Sequence, residues 1–489
     1  MMLWILLGLP CIFAIAAGVL RSPRAILVLA ALGSIAVAAF GGFVAISAMS
    51  SPIAAWENNL RLDVLSAYHL VIIVLVFAFA SFYAWGHFVP QIAEGSFGKS
   101  TARRFGASWF SFLASMILVL MSNNIGLLWV AMETTTLASA LLVSLRPDAA
   151  SIRAAWSYLM ICSVGIAMAL LGTFLLAGEA KAVMGVSALE AGSSPFLWTD
   201  LMKIAHEMRP DAVKLAFVFL LVGYGTKAGL APMHSWLPDA HGQAPAPVSA
   251  VLSAVLLNCA LYAICRVVPV VNIATDGAGW GILVPFGALS VIVAALHVLR
   301  EKDMKRLLAY CSVEHIGIIA LAVGLGAPAI ALLHTLNHSV AKMAAFFYAG
   351  TIAHDRGTKK ADEIGGLLRI HPVIGTGLIA SILALIAMPP SPVFQSELWL
   401  VKFGISKGHY VSIGILLLGV AILAFGLVKP FFGMVWRKET SDIRPFATPW
   451  HQWVITILPL AILLVLGVWM PTLLANVIEQ AAAIIGVIP

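Results

Sequence analysis

Nine titratable side chains occupy stretches where an apolar helix would ordinarily carry none: Glu133, Lys227, His241, Glu314, His315, His334, His338, Lys342 and Glu397. Lys227 is the only formally charged residue of Ala216–Leu237, AFVFLLVGYGTKAGLAPMHSWL. Counting 13 helical residues from Lys214 places it about 20 Å in, deep within a hydrocarbon core about 30 Å thick. A lysine at that depth costs about 2.5–3.5 kcal/mol on insertion scales, so a functional use is the default reading. Gly223, Gly225, Gly229 and Pro232 loosen the same helix, and discontinuous helices are where transporters place ion sites. Glu133, in LLWVAMETTTLASALLV, is likewise far from either end of its helix. Burial raises a Glu pKa and lowers a Lys pKa, while pairing returns both toward charge. A Glu133–Lys227 pair would therefore be switched by separating the partners, which is the chemistry of a proton gate.

His334, His338 and Lys342 recur every four residues in LLHTLNHSVAKMAAFF and share one helical stripe. Histidine titrates near neutral pH, so the stripe suits proton relay. Two His at that spacing can also share a cation. No Asp or Glu lies between them and no third ligand is evident, so no metal site is expected. Glu397 follows a proline-rich break in MPPSPVFQSELWLVKFG, and Lys402 beyond it reads as a snorkelling residue. His241 is expected in a loop after Lys227, from which it could carry protons onward. Glu314 and His315, expected near the cytoplasmic end of their helix, would gate proton uptake. His69 reads as structural, and the run Arg300–Arg306 (REKDMKR) as a solvated loop.

The elements that must position these groups follow from composition. The chain has 489 residues, of which 61% are hydrophobic and 10% charged, and its mean hydropathy is +0.99. Those values exclude an ordinary water-soluble domain and require an all-α polytopic membrane protein. The net charge of +7 reads as loop topology and not as nucleic-acid binding. The five cysteines fall in apolar stretches with no CxxC, so no cluster, zinc or disulfide framework is expected, and no cofactor. The first apolar stretch lacks a basic leader and a cleavage site, and reads as a retained helix.

A membrane-length window predicts about fourteen helices, near 2–20, 25–48, 64–86, 106–122, 124–145, 152–177, 213–233, 245–268, 279–299, 307–326, 328–352, 371–404, 410–435 and 453–475. The seventh and twelfth are broken, at Gly229/Pro232 and at Pro389, Pro390 and Pro392. They lie five helices apart. An odd unit of five forces opposite orientations, so two inverted five-helix repeats are expected. The expected divisions are 1–105 (helices 1–3), 106–268 (helices 4–8), 279–435 (helices 9–13) and 436–489 (the last helix and an apolar tail). Lys and Arg crowd the loops after odd-numbered helices, as at Arg21, Arg24, Lys99, Arg103, Arg104 and Arg146, and are sparse after even ones, where Arg61 and Arg266 count. The positive-inside rule then puts both termini and a long loop, 178–212, on the outer side.

Four stretches together resemble one family. GYGTKAGLAPMHSWLPDAHGQAPAPVSAVLSAVLLNCALY (Gly223–Tyr262), EKDMKRLLAYCSVEHIGII, HTLNHSVAKMAAFFYAG and MPPSPVFQSE are similar to the antiporter-like subunits of respiratory complex I and of Mrp-type cation/proton antiporters. The wording APAPVSA and SVEHIG looks most like the hydrogenase-4 F branch, found in membrane-bound hydrogenase and formate hydrogenlyase complexes. The resemblance spans roughly residues 60–440. It implies a fourteen-helix core that moves protons along a central polar axis, coupled to redox chemistry in partner subunits, in the inner membrane of a prokaryote. The implied partners are other antiporter-like subunits and a soluble redox arm. It matches Glu133 to the family's helix-five glutamate, Lys227 to its helix-seven lysine, Glu397 to its exit residue, and His334, His338 and Lys342 to its helix-eleven stripe. One position departs: Asn258 stands where many relatives carry lysine, so proton relay there must use water, His241 or another route. No catalytic residue is expected on this chain. A cation/proton antiporter subunit without redox coupling, and a non-pumping scaffold, are the alternatives.

Overall fold

A backbone that crosses hydrocarbon must satisfy its own N–H and C=O groups, and long apolar runs do so as helices. The computed structural model describes residues 1–190, 192–438 and 450–486, apart from the side chains of 186–190, 451 and 452. The principal helices are α1 (Met2–Val19), α2 (Pro23–Ser50), α3 (Val64–Ala93), α4 (Lys99–Met121), α5 (Ile125–Val143), α6 (Ala149–Glu190), α7a (Pro210–Ala228), α7b (Trp236–Gln243), α8 (Ala246–Thr275), α9 (Ala278–Val298), α10 (Met304–Gly324), α11 (Pro328–Arg356), α12a (Pro372–Leu385), α12b (Pro392–Ser406), α13 (Tyr410–Trp436), α14 (Trp450–Val468) and α15 (Thr472–Ile485). The chain is thus a nearly all-helical, multi-pass membrane protein.

Among the described residues, eleven helices are long and apolar enough to cross a membrane, or twelve with the bent pair α14–α15. The expected fourteen is not reached by that measure. Polar α11 and the two short halves of α12 are not among the eleven. The apolar windows of α8 and α10 are 100% buried, against 22% in α1 and 28% in α13. So α8 and α10 form the centre, and α1 and α13 turn broad faces outward.

Both expected breaks are present. α7a ends where Gly229 adopts φ +78°, a conformation that a Cβ disfavours, and a short 3₁₀ turn, Met233–Ser235, precedes α7b. Ser290 Oγ accepts from Ala231 N at 2.9 Å, and Trp236 Nε1 donates to the Thr226 carbonyl at 2.8 Å, so the groups freed by the break are satisfied. α12 parts between Leu385 and Pro392. Ser391 caps the second half by accepting from Phe394 N at 3.2 Å, and Asn337 Nδ2 donates to Pro392 O at 2.7 Å. A π turn, Leu252–Leu256, interrupts α8.

Two expectations need correction, and one element is unforeseen. The loop expected at 178–212 is largely helical: α6 runs on, kinked at Gly185, and Trp198–Ile204 forms another helix. The apolar tail after the last span is α15, bent 80° from α14 and packed on α3 and α11. A hairpin of Ile53–Ala55 with Leu60–Leu62 was not anticipated. Asn59 of that hairpin accepts from Asn123 N and Asn124 N through its carbonyl, and so braces the α4–α5 turn.

Candidate functional site

Lys227 lies in the last turn of α7a with no solvent exposure. Its Nζ donates to Thr136 Oγ1 at 2.8 Å and to Tyr158 OH at 2.5 Å. Tyr158 OH meets Ser139 Oγ at 2.6 Å, and the ammonium sits 4.7 Å from the Tyr158 ring centroid. Small residues make this approach possible. A Cβ on Gly223 would lie 2.5 Å from the Ala169 backbone nitrogen, and one on Gly165 would lie 2.6 Å from Thr226 Cβ. α6 and α7a therefore touch backbone to backbone, as small-residue faces allow in membranes. Glu133, three residues before Thr136 on α5, accepts from Ser163 Oγ at 2.6 Å, and its other oxygen is buried without a partner. The expected ion pair is not formed: Lys227 reaches hydroxyl oxygens on α5 and α6 instead, and no Glu133–Lys227 contact closes to 4.0 Å.

A second cluster joins α8, α10, α11 and α12b. His315 Nδ1 and His334 Nε2 are 2.9 Å apart, and His334 Nδ1 is 2.9 Å from Ser396 Oγ. The His338 ring lies 5.0 Å from that of His315, and His338 Nε2 approaches the Ser253 carbonyl at 3.3 Å. Ser253 is in the π turn and meets Ser312 Oγ at 2.8 Å. Lys342 Nζ donates to Leu308 O at 2.8 Å. Glu314 Oε2 lies 3.9 Å from His315 Nε2, and both atoms are buried without a hydrogen bond. Cys311, Glu314 and His315, and likewise His315, His334 and Glu397, bring ligand atoms within 4.8 Å of one another. The sequence weighed His334 with His338 as metal ligands and found no third. The fold instead joins His334 to His315 and Glu397, which come from three different helices.

The structure moves several expected groups. Glu314 and His315 are in the middle of α10, fully buried beside His334, and not near a helix end. His241 is helical, in α7b, with its ring stacked on Phe346 at 5.4 Å and both nitrogens unbonded. Asn258 donates to Ala254 O at 2.7 Å and to Ser339 Oγ at 2.8 Å, and so links α8 to α11. His69 is bonded to Leu65 O at 2.9 Å within its own helix, and Lys402 is exposed. Arg266 is not a loop charge. It is buried in α8 and pairs with Asp63 at 2.5 Å. Lys305 is not solvated either; its ammonium is buried and donates to the Ala244 carbonyl, while Arg306 pairs with Asp239 and Glu301. Tyr158, Ser139, Ser163, Ser253, Ser312 and Ser396 were passed over. A hydroxyl in an apolar helix gives no signal until its cross-helix partner is known.

A multi-pass bundle with ammonium, imidazole and carboxyl groups sealed in its centre defines a class: membrane proteins with a titratable interior. The chain belongs to the NADH:quinone oxidoreductase/Mrp antiporter transmembrane family, whose model matches residues 122–423. It is 38% identical over 366 residues to a hydrogenase-4 component F homolog of Methylacidiphilum infernorum, covering 73% of this chain and 76% of that one. It is 31% identical to hydrogenase-4 component B of Escherichia coli, covering 76% of this chain and 55% of the relative. Among solved structures, a chain of an archaeal membrane-bound sulfane sulfur reductase superposes with TM-score 0.86 at 22% identity, covering 99% of this chain and 97% of that one. A chain of the Mrp complex from Dietzia gives 0.83 at 19% identity, with the same coverage of 99% and 97%. These likenesses establish the fold, and each neighbour is part of a multi-subunit membrane complex.

Proposed function

We propose that this chain is a proton-translocating membrane subunit of a redox-driven complex of the hydrogenase-4 kind. Protons pass Glu133, Lys227 and His241, then His338, His315 and His334 beside Lys342, and leave at Glu397. The observation that carries the reading is the Lys227 ammonium, sealed from solvent and held by the hydroxyls of Thr136 and Tyr158, which can hand protons on. Glu314 and His315 act within the second cluster and not as an uptake gate, because they adjoin His334 and Glu397. The redox chemistry belongs to a soluble arm of the complex. The chain sits in the inner membrane with both termini on the outer side, and helices 4–8 and 9–13 form inverted repeats. To test the reading, Lys227→Met is placed in the complex and proton movement is followed in vesicles. Proton movement should be abolished with assembly intact, and unchanged movement would overturn the assignment.

A second reading has one observation in its favour. The chain is 27% identical to an Na(+)/H(+) antiporter subunit A1 of Staphylococcus epidermidis, covering 48% of that protein. Exchange driven by an imposed sodium gradient, with no redox substrate present, would select it.

A further inference from the structure

We propose that His315, His334 and Glu397 form a binding site for one divalent transition-metal ion of the zinc class, seated in place of the proton that the two imidazoles share. The ligand atoms come from α10, α11 and α12b and lie within 4.8 Å of one another. The two nitrogens, 2.9 Å apart, are already close to the spacing of about 3.3 Å that tetrahedral bonds of about 2.0–2.1 Å require. Two imidazoles and one carboxylate are a zinc-class donor set, whereas calcium and magnesium favour oxygen cages.

The surroundings hold the ligands as a metal site does. Ser396 Oγ, 2.9 Å from His334 Nδ1, fixes that ring with Nε2 facing His315. Glu314 Oε2, with no hydrogen bond of its own, faces His315 Nε2 at 3.9 Å. Lys342 and His338, both on α11, also face the cluster. The Lys342 ammonium is drawn toward Leu308 O at 2.8 Å, and His338 lies 5.0 Å from His315, ring to ring. Cys311, on the same helix as Glu314, brings its sulfur within 4.8 Å of ligand atoms of Glu314 and His315. The binding claim stands on the ligands alone. Its consequence, a block of proton passage, rests on the function proposed above.

The test uses the full-length chain, purified in detergent without a polyhistidine tag and titrated with Co²⁺ and then Zn²⁺. One Co²⁺ per chain should bind with the intense visible bands of a tetrahedral site, and Zn²⁺ should displace it. X-ray absorption of the zinc form should show imidazole nitrogen in the shell. His315→Gln and Glu397→Gln should each weaken binding by at least about 10–100-fold, while His69→Gln leaves it unchanged. Should a variant fold poorly, the unfolding midpoint of the unmodified chain should still rise with Zn²⁺. No stoichiometric binding, a shell without imidazole, or variants of undiminished affinity would each overturn the proposal. The two ideas fail separately. If Zn²⁺ binds as described and proton movement continues, the site stands and the proton route through it falls. If Lys227→Met stops proton movement and no metal binds, the reverse holds.

Discussion

A buried ammonium is tolerable only where its N–H groups find oxygen, and for Lys227 two of those oxygens are hydroxyls, of Thr136 and Tyr158. Hydrogen bonds to charged groups are worth about 1.5–3 kcal/mol. Tyr158→Phe should therefore leave the complex assembled and slow proton movement in vesicles by roughly tenfold or more, since 1.4 kcal/mol is about a factor of ten. An unaltered rate would mean that the hydroxyl does not hold the ammonium in its working position. The contrast between Lys227 and Tyr158 also separates what is legible in one sequence from what is not. A charge in an apolar run stands out because its insertion cost is unconditional. A tyrosine there is ordinary, and its role exists only through a partner 69 positions away. Arg266 fails for a different reason. The positive-inside rule counts charges and takes no account of depth, so a side chain paired with Asp63 inside the bundle was counted with the loops. Asp63→Asn leaves that guanidinium buried and short of its counter-charge, at a cost of about 3–5 kcal/mol. The yield of folded protein and its unfolding midpoint should both drop, whereas Asp63→Leu with Arg266→Met should recover most of the loss. If Asp63→Asn alone is as stable as the parent, the pair is not structural.

Helices are where the sequence speaks most clearly and where its silences have simple causes. The α7 and α12 breaks were legible because Gly229 with Pro232, and Pro389, Pro390 and Pro392, crowd helix-breaking residues into a few positions, whereas single prolines such as Pro269 and Pro285 are carried inside α8 and α9. The π turn of α8 was not, because nothing in Leu252–Leu256 but geometry marks it. α15 was missed because the expected last helix, 453–475, runs on past Pro471, where the chain instead bends by 80° and packs on α3 and α11. The α6–α7a seam was only partly legible. Gly223 was read as loosening its helix, whereas its missing Cβ sets how near that helix comes to Ala169. Gly223→Leu must push α6 away, because the added carbon meets backbone and not a flexible side-chain tip. Overpacking of this kind costs typically about 1–3 kcal/mol. The variant should therefore show a lower unfolding midpoint, and, because Tyr158 rides on α6, proton movement should fall with it. A variant of parental stability and activity would show that the seam opens without cost.

At the scale of the whole molecule the groups of the proposed route fall mainly into two clusters, with α8 between them and His241 outside both. Lys227 and its hydroxyls lie on the α5–α6–α7a side, and His338, His315, His334 and Glu397 lie on the α10–α11–α12b side. α8 packs against α7a and α11, and it carries Ser253 and Asn258 toward the second cluster. Asn258 cannot hold a proton, so a route through both clusters must cross α8 on something other than a side-chain base. The alternative is that each cluster serves a separate route with its own opening. Kinetics can decide between these arrangements, because blocks in series do not add whereas blocks in parallel do. In a series arrangement Lys227→Met and His338→Gln each stop net proton movement, and the double variant loses no more than either alone. In a parallel arrangement each single variant retains a substantial share and only the double variant is silent. The proposed single route requires the first pattern when initial rates of vesicle acidification are compared in assembled complexes. The second pattern would divide the molecule into two conductors and would give α8 the role of an insulating wall.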